Sequence, residues 1–127
     1  MTADPARAAF ARLVDALNAP RDEALQAAAF AADIDIERYQ PGPRGEAALA
    51  QRLRGAAEVA RWFARTPPIS QFRLAGEPAR EPDGRWLIEY AISAGDFHNG
   101  GVWCARLADD GRIVALAHHP FALRAPA

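Results

Sequence analysis

The sequence predicts an α+β fold in which N-terminal helices pack in a curved, mostly antiparallel sheet. Residues 85–93, 101–107 and 112–119 form three apolar, strand-like runs, punctuated by Asp83-Gly84, Asn99-Gly100 and Asp110-Gly111. Helix-period segments precede these runs instead of alternating with them, which favours α+β over βαβ units. Large aromatics sit both on the helices (Phe10, Phe30, Trp62, Phe63) and on the strands (Trp86, Tyr90, Trp103), so the helices must cover one face of the sheet. A sheet of this kind can wrap into a cup, and its last run stops at His118-His119-Pro120.

Asp4-Pro5 starts the first helix, since Asp can cap and Pro is tolerated at the first helical position. Phe10, Leu13, Val14 and Leu17 then give one apolar face, and Asn18-Ala19-Pro20 ends it. Residues 21–32 read as a second, alanine-rich helix, with Asp22 and Glu23 at its positive end. Residues 33–39 switch to period two: Ile34 and Ile36 point one way, Asp33, Asp35, Glu37 and Tyr39 the other. Pro41-Gly42-Pro43 is a loop, and residues 44–55 read either as a helix or as a loop with a short strand. Residues 55–65 are a helix with Val59, Trp62 and Phe63 on one face, stopped by Thr66-Pro67-Pro68. Residues 69–77 are a strand, and the meander follows. The glycine-rich segment 95–101, with Asp96, His98 and Asn99, is expected to be a connecting loop at the lip of any pocket.

Length and composition bound the function. The 127 residues make one domain, 1–127, with room for a real core. A formal net charge of −1 gives no basic field for nucleic acid. No apolar run is long enough to span a membrane, and no secretory h-region opens the chain, so a cytoplasmic location is the default expectation. All 15 basic residues are arginine, which excludes Schiff-base, pyridoxal-phosphate and P-loop lysine chemistry. The single cysteine, Cys104, forms no intrachain disulfide and no multi-cysteine zinc site, and its place inside a strand reads as a packed small hydrophobe. No metal-ligand spacing is recognisable.

The two terminal histidines are separated by strand alternation. With a two- or four-residue loop at Asp110-Gly111, Trp103, Ala105 and Leu107 share a face with Val114, Leu116 and His118; a three-residue loop would bring Val102, Cys104 and Arg106 there instead. The first pairing gathers the bulkier apolar residues, which points His118 inward and His119 outward or to the rim. Histidine suits proton transfer in either direction near neutrality. Tyr39 and Tyr90 are candidate donors to a carbonyl or enolate oxygen.

Three motifs in order carry a resemblance: Phe30-Ala31-Ala32-Asp33 entering the first strand, residues 54–63 (Arg-Gly-Ala-Ala-Glu-Val-Ala-Arg-Trp-Phe) as a helix, and Asp110-Gly111-Arg112-Ile113-Val114 before the last strand. This layout resembles the SnoaL-like polyketide cyclase and ketosteroid isomerase-like superfamily, the cone fold shared with nuclear transport factor two. The resemblance implies an internal apolar pocket, and it implies isomerase, cyclase or lyase chemistry without cofactors, or ligand binding alone. It implies homodimers through the outer sheet face. It also implies that an acid near Asp33 reaches the pocket as a proton shuttle, with Asp35 as the fallback, and that the last-strand position at His118 acts on substrate. Trp103, Trp62, Phe63, Leu116 and Tyr39 would line the substrate site, around the catalytic set His118, Asp33 and Tyr90. The chain departs from family members in carrying histidine in place of a last-strand acid. It also lacks a first-helix tyrosine, Phe10 being the aromatic there, and has no Arg-x-Asp strand motif around Arg106.

Overall fold

The computed structural model describes residues 3–42, 44, 46–67 and 69–122. Pro43 in the expected loop and Pro68 in the expected helix stop lie outside the described residues. Three helices, α1 (Asp4–Asn18), α2 (Glu23–Ala29) and α3 (Ala56–Arg65), accompany seven strands. These are β1 (Phe30–Pro41), β2 (Ala47–Arg54), β3 (Gln71–Leu74), β4 (Ala79–Arg80), β5 (Trp86–Ala94), β6 (Phe97–Leu107) and β7 (Ile113–Pro120). The strands form one curved mixed sheet in the order β2-β1-β7-β6-β5-β3, with β4 added to β5. Among the described residues only β1 and β7 run parallel; the other pairings are antiparallel.

The helices fill the concave side of the sheet. Phe10 and Leu13 of α1 and Val59 and Phe63 of α3 are fully buried against Ile34, Trp86, Ile88, Tyr90, Trp103 and Ile113. Asn18 fastens α1 to the short edge strand β3: its Nδ2 donates to the Phe72 carbonyl at 2.9 Å, and its Oδ1 accepts from the Phe72 amide at 2.6 Å. One side chain thus supplies the pair of bonds that a neighbouring strand would give, which satisfies an edge. Asp22 caps α2 through bonds from the Ala24 and Leu25 amides.

Several boundaries differ from the sequence expectation. Asp4 does not cap α1; it is the first helical residue and pairs with Arg7 at 2.8 Å. The second helix ends at Ala29, because Phe30 is drawn into β1 opposite Ile113 and buries there. The ambiguous segment 44–55 contains β2, an edge strand whose residues are exposed except for Leu53 and part of Gln51, so it lacks the burial pattern that would have marked it. Asn99-Gly100 is not a turn but lies within β6. The turn is Gly95-Asp96, with Gly95 at φ +60° as the first of two central residues, a shape suited to tight hairpins.

The last hairpin carries a bulge. Leu107 pairs with Ile113 and Arg106 with Ala115, so Val114 is the extra residue, and Ile113 takes the core place expected of Val114. Beyond the bulge, Ala105 faces Leu116 and Trp103 faces His118. No helix among the described residues is long and apolar enough to cross a membrane.

Candidate active site

Between the helices and the concave sheet lies a cavity of about 320 Å³. Its wall is mostly apolar: Leu13, Leu17, Phe30, Ile36, Trp62, Phe63, Phe72, Ile92 and Leu116 contribute. Its polar lining comprises Tyr90, His118 and Arg38, with Thr66, Ser70 and Asn99. The first three follow from strand alternation. Tyr90 continues the inward row Trp86, Ile88 on β5; Arg38 continues Ile34, Ile36 on β1; His118 follows Leu116 on β7.

Tyr90 Oη and His118 Nε2 are 2.5 Å apart, a short hydrogen bond whose direction depends on the imidazole tautomer. Trp103 positions both partners. Its ring stacks on Tyr90 at 4.3 Å with 12° between planes, and it meets His118 edge-on at 6.3 Å. Phe10 and Phe72 pack against Trp103 in turn, at 6.5 and 6.1 Å. The tyrosine ring has space because Gly101 is its cross-strand partner. A Cβ at residue 101 would come within 2.6 Å of Tyr90 Oη and would also strike the backbone of His119 and Pro120.

Arg38 neighbours His118 across the parallel β1–β7 pair. Its guanidinium lies 4.8 Å over the Trp62 ring and donates to Gln51 Oε1 at 2.6 Å. Arg38 Nε is buried with no hydrogen-bond partner among the described residues.

Burial and charge set the protonation states. Desolvation first, then the Arg38 cation and His119, hold the His118 pKa down to about 4, so the imidazole is neutral at pH 7. Burial pushes the Tyr90 phenol up, against a smaller lowering by Arg38. Burial also lowers the Arg38 pKa, against a smaller effect of Tyr90.

His118, Tyr90, Trp103, Trp62, Phe63 and Leu116 therefore meet around one cavity, and two expected site residues do not join them. Asp33 is exposed and pairs with nothing in the cavity, because the residues that alternate inward on β1 are Ile34 and Ile36. Asp33 and His118, both placed in the expected catalytic set, do not meet. Asp35, the fallback, is bound instead to Arg52 on the outer face at 2.6 Å, and this pairing is the main cause of its lowered pKa. Tyr39 also faces outward. It stacks on His119 at 4.4 Å and its hydroxyl donates to Glu37 Oε2 at 3.0 Å. Cys104 is buried opposite Ala117, where desolvation raises its thiol pKa. His98 is exposed, and no group of three His, Cys, Asp or Glu side chains suited to a metal gathers among the described residues.

Arg38 is the site residue that sequence reasoning missed. Its signal was parity: position 38 shares the face of Ile34 and Ile36, which the period-two pattern had already separated from Asp33 and Tyr39.

Scanning against protein-family models and searching curated proteins give no match. Solved structures do match over nearly the whole chain. A candidate ketosteroid isomerase from Kribbella flavida is 21% identical, with a TM-score of 0.72 over 98% of this chain and 83% of that one. A candidate isomerase of the SnoaL-like family from Agrobacterium tumefaciens is 18% identical, with a TM-score of 0.68 over 94% of this chain and 99% of its own. An NTF2-like protein of unknown function from Mesorhizobium loti is 24% identical, with a TM-score of 0.67 over 94% and 93%. The chain thus has the cone fold of the SnoaL-like and NTF2-like proteins, the fold its motif order resembles.

Proposed function

We propose that this protein is a cofactor-independent isomerase or cyclase that moves a proton on an apolar carbonyl compound held in the cone. The observation that carries this reading is the Tyr90–His118 hydrogen bond at the wall of an otherwise apolar cavity. Neutral imidazole has a lone pair to accept a proton, and a phenol of raised pKa stays a donor at every ordinary pH. A carbonyl oxygen arriving at Tyr90 takes over the phenol hydrogen, which frees His118 Nε2. The C–H bond beside the carbonyl then breaks, its proton forms an N–H bond on His118, and its electron pair moves to the oxygen as an enolate. Tyr90 steadies that charge in a site of low dielectric. His118 returns the proton to the α-carbon or, where a neighbouring double bond makes a dienolate, to its γ-carbon, which regenerates the neutral base. The neighbours of this fold that are candidate isomerases support the reading at the level of architecture.

The test uses an acidic apolar ketone, 2-tetralone, in D₂O, with incorporation of deuterium beside the carbonyl followed by proton NMR. Wild-type protein accelerates exchange over buffer, His118→Ala returns it to the buffer rate, and Tyr90→Phe lowers it by about 10²-fold or more, as expected for loss of one oxyanion donor. Equal exchange by wild type and His118→Ala would remove His118 from the mechanism.

A second reading, self-association through the outer sheet face, is favoured by a separate observation. Leu49, Tyr39 and His119 form a continuous row across β2, β1 and β7, and Leu49 is 52% exposed. The two readings are compatible, because this row lies on the face opposite the cavity.

A further inference from the structure

We propose that the compound held in the cone carries a carboxylate, and that Arg38 is the residue that binds it. This deepens the proton-transfer reading, but the anion site stands on its own geometry. The cavity wall holds one guanidinium and one imidazole, and no aspartate or glutamate among the described residues that line it. Arg38 has a neutral amide, Gln51, on one nitrogen and an aromatic face, Trp62, beneath it. Its Nε is buried with no partner among the described residues. Arg38 as a whole is half-buried, and a cation drawn even partly out of water is normally matched by an anion, since the loss of hydration is otherwise uncompensated. Here the protein surrounds the charge with groups that orient it and leaves its neutralisation to what enters. Guanidinium suits a carboxylate because its planar donors match two oxygens. The ligand is thus a mostly apolar acid, small enough for about 320 Å³.

Placement also links this acid to the chemistry. Arg38 is the cross-strand neighbour of His118, and its charge is one of the causes that depress the histidine. A carboxylate on Arg38 cancels that charge and makes His118 a better base when substrate is present. An oxo acid, with its carboxylate at Arg38 and its carbonyl at Tyr90, satisfies both halves of the site.

The experiment compares 2-naphthoate with its neutral isostere 2-naphthamide, by calorimetric titration at pH 7.5. Phenylacetate and decanoate, each beside its amide, extend the series. Wild-type protein prefers the acid by roughly tenfold or more, the usual worth of a charged hydrogen bond. Arg38→Gln abolishes the preference, and Arg38→Lys keeps part of it. NMR of the His118 ring adds a second readout: its pKa rises on addition of 2-naphthoate and not of 2-naphthamide. If wild type binds no acid of the series better than its amide, the proposal is overturned, whether or not the variants fold. A preference that persists in Arg38→Gln also overturns it. Acid preference without deuterium exchange on 2-tetralone would leave the anion site standing and remove the proton-transfer reading. Exchange without acid preference would do the reverse.

Discussion

At the scale of single residues, His118 combines a conspicuous position in sequence with an environment that sequence alone does not give. Its place on the last strand and its inward direction followed from alternation, and the structure puts it on the cavity wall beside Tyr90. Its protonation state depends on Arg38 and on burial, which are tertiary facts. The ordinary histidine pKa of 6.5 falls to about 4 in the folded chain. As pH drops, the unfolded chain takes this proton first. The histidine's contribution to stability is therefore fully present above pH 6.5 and is lost between pH 6.5 and about 4. The loss across that window is about 3 kcal/mol. Urea unfolding from pH 7 to pH 4 should show this decline in wild type and a shallower one in His118→Gln; identical slopes would mean that His118 is not desolvated.

At the scale of elements, the seat of the cavity depends on how β3 is held. Phe72 and Leu74 enter the core from a strand of four residues, too short to fix itself through β5 alone. The Asn18 clasp adds two bonds from the end of α1. Asn18→Ala should cost about 1–3 kcal/mol in thermal or chemical unfolding, because the Phe72 amide and carbonyl lose their partner. It should also speed amide exchange at Phe72 more than at Trp103, and uniform protection would sink this account. The sequence made the three helices and the meander legible, since their periods and Asp-Gly turns act locally. It hid β2, whose side chains are mostly exposed, and it misdirected the turn at Asn99-Gly100. That pair reads as a turn by composition, yet the glycine-rich stretch is needed inside β6, where Tyr90 crosses Gly101. For the site, Tyr90, Trp103, Trp62, Phe63 and Leu116 could be found from apolar and aromatic periodicity. Asp33 entered by analogy with the family and Tyr39 by its phenol chemistry, both against their own alternation, which places Arg38 and not its neighbours on the inner face.

At the scale of the whole molecule, closure of the cone rests on a contact between distant parts of the chain. β1 and β7 lie side by side and parallel, an arrangement no local turn can dictate. This pairing places Arg38 beside His118, so the candidate site exists only once both ends of the chain have come together. It also completes the outer row of Leu49, Tyr39 and His119. A second copy of the chain on that face would give a dimer whose two cavities stay independent. Sedimentation equilibrium should find a dimer for wild type and a shift toward monomer for Leu49→Asp. A monomeric wild type would remove the self-association reading.

Gly101 shows how such a site constrains its own history. A single β-carbon there collides with the hydroxyl of Tyr90 and with the backbone just past His118. Loss of the tyrosine hydroxyl alone does not make room for a larger residue, because the His119 carbonyl and the Pro120 α-carbon belong to the backbone and stay in the way whatever stands at position 90. Among descendants of this sequence, glycine should therefore persist at 101 even where the tyrosine at 90 has been lost, so that the close approach of β6 to β7 outlasts the chemistry of the site.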